Sequence, residues 1–134
     1  MRTEKDVEAY LTKMNRRFSP MEDKNGTYLL RATSESVPPI ALHVDPPLVV
    51  TRVNVGHAPR EGAAEFYKRL LSLNASTLVH TSFGLEEDNV VLTSALELEN
   101  LDYNELEALL DEIDVTLAQQ VPGLAALAEG KASS

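Results

Sequence analysis

The sequence predicts an α+β fold: an antiparallel sheet with flanking helices, in the order α-β-β-β-β-α-β-β-α. Three observations predict it. Apolar residues recur at helical spacing in three segments, near the start, the middle and the end of the chain. Between these segments lie short runs rich in Val, Leu, Ile and Thr, the composition of strands. Brief turn signals join the runs, among them Asn25-Gly26, Pro46-Pro47 and Glu86-Glu87-Asp88, which suit hairpins and a meander.

The first helix is expected over Thr3 to Phe18, where Val7, Tyr10, Leu11, Met14 and Phe18 form one stripe. Thr3 with Asp6 three residues on resembles a capping box, and Lys13, Arg16 and Arg17 suit the negative end of the helix dipole. Pro20 is placed to stop the helix. Asn25-Gly26 then predicts a hairpin between strands at Ser19 to Asp23 and Thr27 to Thr33, with Tyr28, Leu30 and Ala32 on one face.

"SESVPP" reads as a loop. A strand follows over Ile40 to Val44, with Ile40, Leu42 and Val44 pointing one way. Pro46-Pro47 breaks it, and Leu48 to Val55 is the next strand, with Val49, Thr51, Val53 and Val55 on one face. After the polar "GHAPREG", the second helix is expected over Glu61 to Asn74, with Ala63, Phe66, Tyr67, Leu70 and Leu71 inward. Ser76 to Leu85 and Asn89 to Leu98 form a hairpin around the acidic turn. The third helix is expected over Asp102 to Gln120, on a stripe of Leu106, Leu109, Leu110, Ile113 and Leu117, with Asp102 and Glu105 as its capping pair. Pro122 should end it. The expected organisation is one domain over residues 1–121 and a small-residue tail over 122–134, the kind of terminus that is disordered by default.

At 134 residues, 43% hydrophobic and 25% charged, the chain has the balance of one soluble globular domain. Its formal net charge of -9 opposes non-specific nucleic-acid binding and anionic membrane surfaces, both of which need surplus Lys and Arg. The same charge suits a basic or amphipathic protein partner, although many cytosolic proteins are simply acidic. The absence of Cys removes disulfides, thiolate chemistry and Cys-based zinc sites, and fits a reducing cytosol. No apolar leader or membrane-length apolar run is visible, so a cytoplasmic location is expected.

Chemistry-bearing patterns are sparse. His43, His57 and His80 have no metal-ligand spacing to one another or to a carboxylate. Ser82-Phe83-Gly84 lacks the glycine that a nucleophile elbow needs before its serine, and no Walker or dinucleotide glycine pattern occurs. The carboxylates of the Glu86-Glu87-Asp88 turn and of the helices read as solvated faces. No catalytic residue, cofactor or metal is therefore expected. A small enzyme or ligand-binding domain would need a polar pocket with convergent groups around one of the histidines.

The hairpin carries the most information. In its second strand Val90, Leu92, Ser94, Leu96 and Leu98 share one face, and Asn89, Val91, Thr93, Ala95 and Glu97 share the other. That second face is small, β-branched or weakly polar and nearly without charge. Free sheet surfaces usually carry Lys, Glu or Arg, so this face or its edge is expected to be covered. The cover is a helix of the same chain, a second copy, or an extended peptide added to the sheet.

The stretch "LNASTLVHTSFGLEEDNVVLTSALELENLDYNELEALLDEI", residues 73–113, resembles the class I type III secretion chaperones of the Tir-chaperone-like fold and the neighbouring YbjN-like proteins. The order of elements is similar over residues 3–121, and small size and acidity also agree. The resemblance implies a bacterial, homodimeric, non-enzymatic module that binds an extended segment of a partner protein, either a secreted effector or, in the YbjN-like alternative, a signalling regulator. It implies a dimer interface on the second helix and the hairpin, for which Phe66, Leu70, Val79, Phe83, Val91, Thr93 and Ala95 are the candidates. Leu29, Leu48 and Val50 on the meander are the candidates for partner contact. The polar residues Arg31, Arg52 and Asn54 on the meander depart from a uniformly apolar groove.

Overall fold

The computed structural model describes residues 2–31 and 37–129. The expected loop from Ser34 to Ser36, the Ala32–Thr33 end of the second strand and tail residues 130–134 lie outside them. The elements are α1 (Glu4–Lys13), β1 (Phe18–Pro20), β2 (Thr27–Leu30), β3 (Ile40–Asp45), β4 (Leu48–His57), α2 (Ala64–Ser76), β5 (Ser82–Glu86), β6 (Asn89–Glu97) and α3 (Tyr103–Ala128). Their order is the one expected. The strands form one antiparallel six-stranded sheet in the order β1-β2-β3-β4-β6-β5.

α1 is shorter than its apolar stripe suggested. Asn15 takes a left-handed backbone (φ 59), which Asn tolerates better than most residues. The Arg16 N–H then donates to the Leu11 carbonyl and the Asn15 N–H to that of Thr12, which satisfies the last turn. The helix therefore ends at Lys13, ahead of Pro20, and Phe18 passes to β1. At the other end the Thr3 N–H donates to Asp6 Oδ2 at 2.8 Å, as the capping pair predicted.

α2 is displaced from its expected span and turned by about one residue on its axis. Phe66, Leu70 and Leu73 are buried, whereas Tyr67 and Leu71 face outward, Leu71 with 68% exposure. β5 begins at Ser82, because α2 persists to Ser76 and residues 77–81 are irregular.

Pro122 does not end α3, which runs 26 residues to Ala128. A proline inside a helix costs about 3 kcal/mol, through a lost hydrogen bond and a clash with the preceding turn. Beyond it Leu124 is buried, and Leu127 and Ala128 pack on the core together with Val121 just before it. Burying one large aliphatic side chain contributes about 1.5–3 kcal/mol, enough to offset the proline. Of the expected tail, residues 122–128 are thus helical. The start follows the prediction: Asp102 caps α3, accepting from the Glu105 N–H at 2.8 Å.

Directly paired residues of an antiparallel sheet share a face. Tyr28, Leu42, Thr51 and Ser94 make one row across β2, β3, β4 and β6, and Val53, Leu92 and Phe83 make another. This face is the core floor. With Val7 and Leu11 of α1, Phe66, Leu70 and Leu73 of α2, and Leu106 to Leu124 of α3, its apolar residues form one buried cluster. Two hydroxyls there, Thr51 Oγ1 and Ser94 Oγ, hydrogen-bond to each other, so neither is buried without a partner. All three helices therefore serve this face.

Candidate functional site

The opposite face of the sheet is the candidate site. One row is Thr27, His43, Val50 and Ala95; the next is Leu29, Ala41, Arg52, Thr93 and Ser82. Leu48 lies beside Glu97 at one end, and Asn54, Val91 and Gly84 stand together toward the other. Ala95, Ser82 and Asn54 are exposed, Leu48 is 37% exposed, and Leu29, Val50 and Thr93 are half-buried. Among the described residues, all three helices pack in the buried cluster of the opposite face, and none covers this surface.

The sequence-predicted residues divide between the two faces. Phe66, Leu70 and Phe83 are buried in the protomer's own core, so their side chains are already occupied. The exposed apolar residues on the same elements are Tyr67 and Leu71 of α2 and Leu85 of β5. Val79 is 81% exposed in the segment before β5. Val91, Thr93 and Ala95 lie on the open face, as do Leu29, Leu48 and Val50. The register joins the two sets, because Val50 stands directly opposite Ala95.

Besides Thr27, Val91 is buried on this face, with 3% exposure and no place in the helix-covered cluster. Its direct neighbours are the exposed Asn54 and the side-chain-less Gly84. Two charged side chains flank Val91 farther along the strands. Arg52 pairs with Thr93 on one side of β6, and Glu86 pairs with Asn89 on the other. Arg52 Nη2 and Glu86 Oε1 form an ion pair. That bridge crosses β6 diagonally, midway between Asn89 and Thr93, which is where Val91 stands. Both charged side chains remain half exposed.

The sheet edges are partly blunted. Asn74 of α2 accepts from the Phe83 N–H at 2.8 Å and donates to the Phe83 carbonyl at 3.1 Å. These are the outward groups in the middle of edge strand β5 that an incoming strand would use. The other edge, β1, spans three residues and ends at Pro20.

Residues 79–81 hang on one carboxylate. Glu112 of α3 accepts from the backbone N–H groups of Val79, His80 and Thr81, and from Thr81 Oγ1 at 2.6 Å. His80 Nδ1 lies 3.2 Å from the same carboxylate. Burial alone would push the Glu112 pKa up, but these hydrogen bonds from Thr81, His80 and Val79 outweigh it and hold the carboxyl below its ordinary range. Tyr28 shifts the other way: burial first, then donation of its hydroxyl to Glu8 Oε2 at 2.6 Å, pushes the phenol well up.

The histidines are apart. His43 meets Thr27 Oγ1 at 2.7 Å, His80 meets Glu112, and His57 lies at the end of β4. Among the described residues no group of His, Asp and Glu is placed to hold a metal ion. A cavity of about 220 Å³ borders His57, lined mainly by Val55, Phe66, Val90, Leu124 and Ala128. A larger cleft of about 750 Å³ lies between the turn after α1 (Met14 to Arg17) and α3, where Arg16 pairs with Asp114 at 2.6 Å. Among the described residues, no helix is long and apolar enough to cross a membrane.

Sequence reasoning put Val91, Thr93 and Ala95 on one face of β6, left a helix of the same chain among its possible covers, and missed the Asn74 clamp, the Glu112 anchor and the Arg52–Glu86 bridge. Each joins positions distant in the chain, and each depends on strand order. Alternation of side chains says which residues share a face of one strand; it does not say which strands are neighbours.

Comparison with known proteins agrees with this architecture. One similar solved structure is a chain of the heterodimeric ExoU–SpcU complex from the type III secretion system of Pseudomonas aeruginosa. It is 18% identical, covers 87% of this chain and 95% of that one, and has a TM-score of 0.70. Another is YbjN from E. coli, described as a putative transcription regulator, at 12% identity, 96% and 93% coverage and a TM-score of 0.67. The Yersinia pestis type III secretion chaperone SycH, solved with a fragment of YscM2, gives 18% identity, 85% and 98% coverage and a TM-score of 0.59. At these identities the likeness shows the fold. No curated protein sequence matches the chain. The family model CesT_Tir_1 matches residues 1–130, and with the antiparallel sheet and three helices in the same order, the chain belongs to the CesT_Tir_1 family.

Proposed function

We propose that this chain is a non-enzymatic, cytosolic protein-binding module of the chaperone kind, which works as a homodimer and holds an extended segment of a partner protein. The observation that carries the reading is a sheet face left open by all three helices, beside edges blunted by Asn74 and Pro20. An open face this poor in charge is a contact surface. In this reading the second copy covers Val91, Thr93 and Ala95, with Tyr67, Leu71 and Val79 at the margin. The partner segment crosses Leu29, Leu48 and Val50. Relatives in fold support a protein partner: ExoU–SpcU is a heterodimeric complex, and SycH was solved with a fragment of another protein.

Light scattering tests the dimer. The wild type is expected as a dimer at micromolar concentration and Ala95→Arg as a folded monomer; a monomeric wild type across that range ends the dimer reading. Co-expression with the product of a neighbouring gene tests the partner. Co-purification that survives in wild type and disappears in Leu29→Arg, with the dimer intact, supports the assigned face. The second reading is a YbjN-like regulatory adaptor, favoured by a likeness that spans 96% of the chain. The partner's nature separates them: an exported protein supports the first and a signalling protein the second.

A further inference from the structure

We propose that Arg52 and Glu86 are exchange partners between two copies of this chain: paired with each other in the protomer, they re-pair across a two-fold axis over Val91. This rests on the homodimer reading above and adds the residues that set its register.

The argument starts from cost. The Arg52–Glu86 bridge joins two half-exposed side chains, and such pairs stabilise a fold very little. It is easily opened. Yet it is placed with unusual economy, one cation and one anion flanking β6 on a face whose central rows carry no other Lys, Arg, Asp or Glu. The remaining carboxylates of the face, Asp45 and Glu97, stand at its far end beside Leu48.

An isologous interface requires a surface that complements itself. A plus and a minus charge placed symmetrically about a point meet that requirement. A two-fold through that point sets each Arg52 against the partner's Glu86 and each Glu86 against the partner's Arg52. The point is occupied by Val91, so opening the two bridges brings the two valines together on the axis. Gly84 beside it leaves room for the approach, since a Cβ there would meet nothing within 4 Å. An unrelated partner would need both charges in the same mirrored order, whereas a second copy supplies them by symmetry. Once desolvated between two faces, a mismatched charge is costly, so the pair governs which copies associate more than how tightly.

Charge reversal tests the exchange. In Arg52→Glu residues 52 and 86 are both acidic, and in Glu86→Arg both are basic. Each variant alone is expected to weaken the dimer by at least about 30-fold. An equimolar mixture is expected to form heterodimers of near wild-type affinity, because both cross-copy pairs are restored. Circular dichroism confirms that each variant is folded.

A second measurement avoids like charges within any chain. The swapped double variant Arg52→Glu/Glu86→Arg keeps an internal pair. Mixed with wild type and read by native mass spectrometry, it is expected to sort into two homodimers with few mixed species, since every cross-copy contact between them is like-charged. Statistical mixing, or single variants that dimerise like wild type, overturns the exchange and leaves dimerisation through another surface standing. A monomeric wild type overturns both.

Discussion

Residues 92 and 93 are neighbours on β6, yet they belong to different regions of the molecule. Leu92 has no exposure and lies under the helices, between Val53 and Phe83. Thr93 is half-buried on the open face, between Arg52 and Ser82. One strand thus serves two purposes through its period of two. The covered face holds the fold together; the open face keeps a surface free for contact. The acidic turn at Glu86-Glu87-Asp88 belongs to neither purpose alone, because Glu86 leaves the turn and bridges back to Arg52.

The largest effect should separate the faces outright. Leu92→Ala is expected to cost about 2–5 kcal/mol in urea unfolding, the lost transfer energy plus the cavity. Thr93→Ala is expected to stay within about 0.5 kcal/mol, measured at one fixed protein concentration, because Thr93 is only half-buried and lies outside the helix-covered cluster. Equal losses at the two positions would mean that the open face is structural as well.

Glu112 should come next. Glu112→Gln is expected to lose about 1–3 kcal/mol at neutral pH, since the charge-assisted bonds to residues 79–81 weaken together. The folded pKa of Glu112 lies below its unfolded value. Its contribution is therefore present above the unfolded value and is lost as pH falls through the folded one. Unfolding curves of wild type and Glu112→Gln should differ at pH 7 and converge as pH falls through the folded value, below the ordinary carboxylate range, and a gap that persists in stronger acid would rule out the carboxylate as the source.

A third comparison sets edge against face. Asn74→Ala is expected to lose about 1–2 kcal/mol, the worth of one two-sided clamp on the Phe83 backbone. Its more telling result should be turbidity or fibre growth, because a free β5 edge invites strand pairing. A variant that loses stability without associating would show that the edge is protected by more than Asn74.

What was legible in the sequence follows the range over which each signal acts. Alternation alone put Tyr28 with Leu30, Ile40 with Leu42 and Val44, and Val49 with Thr51 and Val53 on shared faces, and all of these are buried. The stripe of α3 was read correctly from Leu106 to Leu117, and its end was misplaced because local chemistry at Pro122 yields to tertiary burial of Leu124. α1 was read too long, since the apolar spacing of Met14 and Phe18 continues past the turn that Asn15 makes. Missing charge on the hairpin marked the second face as one needing cover, without saying whether a helix of the same chain supplies it. The join of that face to Val50 was not visible, because β6 sits beside β4 only once the chain has crossed α2.

The smallest effect tests what covers Val91. Arg52→Ala is expected to cost at most about 1 kcal/mol in thermal unfolding, in keeping with a half-exposed ion pair. Part of that loss should come from the aliphatic stem of Arg52 lying over Val91, because long cationic side chains shield apolar neighbours with their methylenes. Glu86→Gln keeps the arginine stem and removes only the charge, so it is expected to cost less than Arg52→Ala, and raising the salt should shrink its effect first. In the Val91→Ala background the stem has less to cover, and the Arg52→Ala loss should fall toward that of Glu86→Gln. If the two losses are equal in the wild type and both disappear in salt, charge alone holds the bridge, and the burial of Val91 is a consequence of the pair without a share in its stability.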